Sequence, residues 1–137
     1  ARPSSMSEFR VLVCGGRDYG RTEEEQRRLG SVLDTLARST TRPIVIVHGG
    51  ARGADELAGA YVRRHRADGG SRLSEDRYPV SKADWDRYGK RAGHLRNTQM
   101  IVEGTPDLVI AFPGGRGTEN MIKQAEAAGI PVRRITV

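Results

Sequence analysis

Residues 107–118 read DLVIAFPGGRGT, and this stretch decides the fold. Its first half, Asp107–Phe112, is a short apolar run, which is typical of a parallel strand buried on both faces. The run stops at Pro113, and a pair of glycines follows. A buried strand that ends in glycines just before a helix indicates an open α/β sheet, in which ligands bind beyond the carboxyl ends of the strands.

The same pattern occurs twice more along the chain. Phe9–Cys14 (FRVLVC) leads into the sequence GGR, and Pro43–His48 (PIVIVH) leads into GGAR. We call residues 15–17, 49–52 and 113–118 the first, second and third glycine loops. Each loop carries two adjacent glycines followed closely by an arginine. Three such strand ends are hard to attribute to tight turns alone.

Helical patterns separate the strands. Thr22–Ala37 opens with a capping box, in which Thr22 is the N-cap and Glu25 lies three residues on, and continues with apolar residues at helical spacing. Further helices are predicted around Leu57–His65, from a second capping box at Ser81–Asp84, from His94 to about Glu103, and from Met121 to Ala128. Gly129 is expected to end the last of these in a left-handed conformation.

The remaining segments complete an alternating order of strands and helices. Asp68–Asp76 is polar and is predicted to be a mobile loop, Arg77–Val80 to hold a short third strand, and Pro131–Val137 to form the last strand. This order predicts a Rossmann-like α/β fold, a parallel five-stranded sheet with helices on both faces. We expect residues 1–7 to be a flexible leader or a cloning remnant and residues 8–137 to form a single domain.

Composition restricts the classes of function. No apolar run approaches the roughly 20 residues of a membrane helix, so we predict no membrane association. The only cysteine, Cys14, excludes an intrachain disulfide, which favours a cytoplasmic location, and we interpret it as a small buried hydrophobe. The net charge is +6, but the basic residues are scattered and aromatic residues are few. Any binding of nucleic acid is therefore predicted to be weak, non-specific and electrostatic.

The three glycine loops together predict one anion-binding site. Glycines let backbone N–H groups approach an anion without a Cβ in the way, and arginine can grip phosphate oxygens with two parallel hydrogen bonds. Three neighbouring strand ends span roughly 10 Å, which suits a nucleotide or part of a dinucleotide. The predicted ligand-binding residues in the loops are Gly15, Gly16, Arg17, Gly49, Gly50, Arg52, Gly114, Gly115, Arg116, Gly117 and Thr118.

Other polar and aromatic residues near the loops have two interpretations each. Asp55 either contacts a ribose hydroxyl or complements a helix dipole, and His48 either faces the ligand or is satisfied by backbone groups. Trp85 and Tyr88 either form a wall of the pocket or pack in the core or at an interface. The histidines lack partners at metal spacing, so we predict no metal site, and we assign no cofactor.

The third loop, PGGRGT, resembles the PGGxGT signature of the SLOG superfamily, which contains the lonely-guy (LOG) phosphoribohydrolases and the DprA/Smf DNA-processing proteins. CGGR (14–17), HGGARGAD (48–55), DWDRYG (84–89) and AGHLRNTQM (92–100) resemble its YspA/YpsA-related branch. The resemblance extends from Phe9 to Val137. It implies a Rossmann-like fold, a nucleotide or nucleotide-derived ligand, a functional contact from Asn97, and a homo-oligomer.

In the LOG enzymes, an arginine shortly before a methionine and a glutamate beyond PGGxGT serve cleavage of an N-glycosidic bond. Arg96 with Met100 matches the arginine element, whereas Asn120 stands at the glutamate position and Glu119 comes one residue early. One position along a helix rotates a side chain by about 100°. The resemblance implies Arg96 and Glu119 as the catalytic residues of any hydrolysis.

Three functions therefore remain open from the sequence. The first is nucleotide binding with phosphoribohydrolase-like cleavage. The second is a non-catalytic sensor of a nucleotide signal, which needs the arginines but no carboxylate. The third is a DprA-like module that binds single-stranded nucleic acid along its phosphate backbone.

Overall fold

The computed structural model describes residues 8–70 and 72–136 of the chain. In chain order, the elements in these ranges are β1 (Phe9–Cys14), α1 (Glu23–Arg38), β2 (Ile44–His48), α2 (Ala54–Ala67), β3 (Leu73–Arg77), α3 (Lys82–Tyr88), α4 (Arg91–Val102), β4 (Leu108–Ala111), α5 (Arg116–Ala127) and β5 (Val132–Arg134). The leader predicted for residues 1–7 and the last residue of the predicted final strand, Val137, lie outside the described residues.

The five strands form one parallel sheet in the order β3-β2-β1-β4-β5. The predicted Rossmann-like fold class is confirmed. Val11 lies at the centre of the sheet, opposite Ile46 of β2 on one side and Leu108 of β4 on the other. The strand order reverses between β1 and β4, and in open α/β sheets the crevice at this switch point is where ligands bind.

Alternate side chains of the central strands face opposite layers of helices. Val11 and Val13 pack with the buried faces of α1 and α2, whereas Leu12 and Cys14 pack with α4 and α5. Both faces of the sheet are therefore covered, which explains why the central strands are continuous apolar runs rather than alternating ones. Cys14 is buried as predicted, and burial raises the pKa of its thiol.

The predicted helix ends are largely confirmed. The Thr22 hydroxyl accepts a hydrogen bond from the Glu25 N–H at 3.1 Å, and the Glu25 carboxylate accepts from the Gly20 N–H at 2.9 Å. Ser81 caps α3 in the same way, through the Asp84 N–H at 3.1 Å. Gly129, with φ of +75°, takes the expected left-handed conformation after α5. Helix α4 begins at Arg91, three residues before the predicted start.

The prediction for the third strand was wrong. β3 comprises Leu73–Arg77, most of which lies within the stretch predicted to be a loop, and residues 78–80 follow it outside the sheet. β3 is an edge strand that pairs only with β2, and Leu73 is its only buried residue. Its carboxylates bind side chains of other elements: Glu75 contacts His48 and Arg63, and Asp76 contacts Arg10. Because these polar contacts replace apolar burial, the sequence of β3 shows no alternation of apolar and polar residues, which is the pattern that would predict a strand.

A close contact between backbones fixes where α2 begins. Gly53 has φ of +89°, and a Cβ on this residue would lie 2.1 Å from the carbonyl oxygen of Gly16. That carbonyl also accepts a hydrogen bond from the Ala54 N–H at 3.3 Å. The first and second glycine loops can therefore approach this closely only because residue 53 has no side chain.

We predict that Gly53→Ala lowers the free energy of unfolding by about 1–3 kcal/mol more than Gly69→Ala does, because strain and overlap add at residue 53. Gly69 is a matched control, since it has φ of +94° and open space where a Cβ would point. Urea unfolding of both variants measures the difference. Equal losses would show that the contact with Gly16 relaxes without cost.

Candidate functional site

The largest part of the candidate site is a cleft of about 510 Å³ beyond the carboxyl ends of β1 and β4, at the switch point of the sheet. It brings together ten of the residues predicted from the sequence. These are Gly15, Gly16, Arg17, Asp55, Arg96, Asn97, Gly115, Arg116, Gly117 and Thr118.

The first and third glycine loops interlock at the base of this cleft. The Gly16 N–H donates to the carbonyl of Pro113 at 2.9 Å. A Cβ on Gly114 would lie 2.2 Å from the Thr118 hydroxyl oxygen and 2.7 Å from the Gly16 nitrogen. Gly114 does not line the cleft, and its absent side chain instead lets the two loops touch.

The third loop presents unused backbone donors to the cleft. Helix α5 begins directly after Gly115 and has no side-chain cap, unlike α1 with its Thr22. The N–H groups of Gly115, Arg116, Gly117 and Thr118 donate no hydrogen bond to any described residue. A helix N-terminus with free N–H groups attracts anions, both by hydrogen bonding and through the helix dipole.

The second loop differs, because its backbone donors are already occupied. The buried Asp55 carboxylate accepts from the Gly49 N–H at 3.1 Å and from the Ala51 N–H at 3.3 Å through one oxygen, Oδ2. The Gly50 N–H donates to Nδ1 of His48 at 3.1 Å. The expectation that glycines in all three loops offer N–H groups to an anion is therefore corrected: at Gly49 and Gly50, as at Gly16 of the first loop, those groups bind the protein itself.

His48 is a buried histidine satisfied by protein groups. Its Nδ1 accepts from the Gly50 N–H, so its Nε2 carries the proton and donates to the Glu75 carboxylate at 2.7 Å. Arg63 donates to the other oxygen of Glu75 at 2.8 Å. Partial burial raises the pKa of Glu75, but the hydrogen bonds from His48 and Arg63 outweigh it, and the pKa lies below its ordinary value. His48 does not line the cleft.

Arg96 spans the site as a largely buried cation. Its guanidinium donates to the carbonyl of Gly49 at 2.7 Å and to the side-chain oxygen of Asn97 at 3.3 Å. Burial lowers its pKa, and the nearby Asp55 carboxyl opposes this effect. Among the described residues, Arg96 forms no salt bridge. Its charge is therefore not neutralised by direct contact with a carboxylate.

Asn97 joins α4 to the first turn of α5. Its Nδ2 donates to the carbonyl of Gly117 at 3.1 Å and to the side-chain oxygen of Asn120 at 3.2 Å. The same oxygen of Asn120 accepts from Gln124 at 2.8 Å. This network holds the α5 N-terminus in place relative to Arg96, and it engages Asn120 outside the cleft.

Glu119 is not brought into the cleft. Both of its carboxylate oxygens accept from Arg134 of β5, at 3.1 and 3.3 Å, and both side chains are about half exposed. Its predicted catalytic role stays a prediction. Among the described residues that line the cleft, Asp55 is the only carboxylate.

Trp85 stands at one wall of the cleft, and Tyr88 does not line it. The Arg17 guanidinium lies 5.3 Å from the centre of the Trp85 ring, within the range of a cation–π contact. Trp85 is 37% exposed, so a ligand can reach its ring.

The sequence analysis did not assign several other cleft-lining residues to the binding site. Met100 and Met121 lie at the buried floor with Cys14, and Lys90 and His94 lie at the rim. The apolar periodicity of α4 and α5 marks the methionines as core residues, and no sequence signal separates them from the rest of the core.

A second cavity of about 310 Å³ adjoins the cleft and is lined by three more of the predicted residues, Gly49, Gly50 and Arg52. Arg17, Ala51, Trp85 and Arg96 line both cavities, whereas the predicted residues Gly114 and Glu119 line neither. The other predicted site residues therefore divide into two neighbouring compartments.

Within residues 8–70 and 72–136, no helix has both the length and the apolar character of a membrane span. No group of three or more His, Cys, Asp or Glu side chains in the same ranges could hold a metal ion.

Comparisons with known proteins show the family and the fold. The profile of the YspA and cpYpsA-related SLOG family (YAcAr) matches residues 9–88, which include the first and second glycine loops. The gene 61 protein of Mycobacterium phage D29 is 39% identical over 125 residues, 90% of this chain and 93% of that protein. The X-ray structure of TM1055, a Northeast Structural Genomics Consortium target, superposes with a TM-score of 0.57 at 18% identity, covering 90% of this chain and 72% of that one.

We predict that ionisation of Asp55 costs stability. Burial raises its pKa, and the hydrogen bonds from Gly49 and Ala51 and the nearby Arg96 and His48 only partly offset this. As pH rises from about 4 through the raised pKa, the unfolded state releases its proton before the native state does. The free energy of unfolding of the wild type should then fall relative to Asp55→Asn, measured by urea unfolding at a series of pH values. A rise would mean that the hydrogen bonds outweigh burial.

Proposed function

Because this chain belongs to the YspA and cpYpsA-related SLOG family, whose membership supports a nucleotide-related ligand, we propose that its cleft binds a nucleotide through a phosphate on the third glycine loop. The observation that carries the proposal is the row of N–H groups from Gly115 to Thr118 at the start of α5, which donate to no described residue and belong to residues that line the cleft. Arg116 adds a guanidinium beside them, and it is exposed and free to swing onto a phosphate.

The rest of the cleft suits a nucleoside. Met100 and Met121 form an apolar floor, and the Trp85 ring offers a face on which a base can stack. The second oxygen of Asp55, Oδ1, accepts no hydrogen bond from the described residues, although the side chain is only 7% exposed. This oxygen is not sealed off in the core, and because Asp55 lines the cleft, a ribose hydroxyl can donate a hydrogen bond to it.

We propose binding without cleavage of ordinary nucleoside monophosphates. An oxocarbenium-like sugar needs a carboxylate nearby, either as a charge partner or as a base for water. Glu119 is held by Arg134 outside the cleft, and the one carboxylate inside, Asp55, already accepts two backbone hydrogen bonds. This arrangement favours the sensor interpretation over phosphoribohydrolase activity.

The nucleic-acid interpretation finds less support. A single-strand binder needs a groove that follows several phosphates, with aromatic rings for successive bases. Trp85 is the only aromatic residue that lines either cavity. The site is thus suited to one small ligand.

Arg116→Ala should weaken binding of a nucleoside 5′-monophosphate by roughly 1.5–3 kcal/mol, because one charge-assisted contact is lost while the fold is untouched. Lys123→Ala removes a positive charge from the same helix, but Lys123 does not line the cleft, so it serves as the matched control. Calorimetric titration with a panel of monophosphates measures both. Equal affinities of the wild type and Arg116→Ala would refute the assignment of the phosphate to the third loop.

Wild-type protein should bind a monophosphate yet release no free base from it, as followed by chromatography over the same panel. Glu119→Gln should bind the monophosphate with an affinity within about twofold of the wild-type value, because Glu119 does not line the cleft. Base release by the wild type that Glu119→Gln abolishes would establish catalysis and require Glu119 to leave Arg134. Release that persists in the variant would establish catalysis by other residues.

A further inference from the structure

The second cavity extends the cleft past the Arg17–Trp85 pair toward β2. Three arginines line it, namely Arg17, Arg52 and Arg96, and no carboxylate does. A fourth arginine, Arg77, brings a guanidinium nitrogen within 3.4 Å of where a Cβ on Gly50 would lie. A pocket this size with only cationic charge in its walls is matched to an anionic group.

The described carboxylates near this cavity neutralise its arginines only in part, since Asp55 lies near Arg96 without forming a salt bridge with it. Asp18 lies 3.7 Å from Arg52, and both side chains are 68% exposed, so water and salt screen the pair. Asp18 also contacts Arg21 more closely, at 2.8 Å. Arg96 binds only neutral oxygens. Arg52 can therefore turn from Asp18 to a ligand at little cost.

The two compartments would hold an anion by different means. The third loop offers backbone N–H groups, whereas those of the second loop are taken by Asp55 and His48. An anion in the second cavity would therefore be bound by guanidinium side chains. Substituting a single arginine should therefore weaken binding of the anion in the second cavity. The same substitution leaves the backbone N–H groups of the third loop intact.

The spacing of the compartments limits the ligand. The third and second loops follow β4 and β2, which flank β1, so the strand ends lie about 10 Å apart. Two phosphates joined directly cannot reach both positions, whereas two phosphates on opposite sides of a ribose come much closer to this span.

We propose that the site takes a nucleotide with two anionic groups separated by a sugar, such as a nucleoside 3′,5′-bisphosphate or a 5′-phosphorylated dinucleotide. One group lies on the third loop and the other lies among Arg17, Arg52 and Arg96. This inference rests on the proposed nucleotide binding, and it adds the class of ligand.

The test compares three probes in an adenosine and a guanosine series: the 5′-monophosphate, the 5′-diphosphate and the 3′,5′-bisphosphate. Trp85 is the only tryptophan and lines both cavities, so its fluorescence reports binding in either. At fixed ionic strength, the wild type should bind the bisphosphate about tenfold tighter than the monophosphate, because one charge-assisted contact is gained. It should also bind the bisphosphate tighter than the diphosphate, which has a similar charge.

Arg52→Ala should weaken binding of the bisphosphate about tenfold, and it should leave the affinity for the monophosphate within twofold of the wild-type value. Arg64→Ala, which removes an exposed arginine from the last turn of α2, should change neither. If the monophosphate binds but the bisphosphate gains nothing over the diphosphate, or if Arg52→Ala weakens all probes equally, this inference is wrong and the proposed function stands. If no probe in either series binds, both fall.

Discussion

The site depends on how closely three backbones meet around Gly16. Its N–H donates to the carbonyl of Pro113, and its own carbonyl accepts from the N–H groups of Tyr19 and Ala54. One residue thus ties the end of β1 to the end of β4 and to the start of α2. A Cβ on the facing residues Gly53 or Gly114 would overlap Gly16 itself. The glycines therefore serve packing first, and that packing sets the distance between the loops of the candidate site.

This constraint also explains the different roles of the second and third loops. The second loop is closed by Asp55 and His48, whose hydrogen bonds occupy its N–H groups and fix the carbonyl of Gly49 that Arg96 contacts. The third loop keeps its N–H groups free because α5 lacks a side-chain cap. The protein therefore combines an internally satisfied loop with an open one, on either side of the first loop. The satisfied loop positions a cation, and the open loop offers donors.

Much of this could be predicted from the sequence. Apolar runs that stop at glycine pairs identify β1, β2 and β4, and the repeated arginines identify the edge of the sheet where the candidate cleft lies. β3 was missed because an edge strand can exchange apolar burial for ion pairs, as Glu75 does with His48 and Arg63. The occupied N–H groups of the second loop were missed because Asp55 reaches them only in the folded loop. No periodicity encodes the second cavity, since it forms between elements far apart in the chain.

The first turn of α5 shows why a sequence can match a motif without forming the catalytic arrangement that the motif has in other proteins. Asn97 holds this turn by binding both the carbonyl of Gly117 and the side chain of Asn120, and Arg134 holds Glu119 from the opposite side. The Asn97 contacts and the buried α5 residues Met121, Ile122 and Ala125 set the rotation of α5 about its axis, and in this rotation neither residue 119 nor residue 120 lines the cleft. A carboxylate at position 120 could still accept from Asn97 and Gln124, and it would then be held at the seam between α4 and α5, behind Asn97. Cleavage would require that seam to rearrange, whereas phosphate binding requires it to stay as it is, because the same turn presents the free N–H groups.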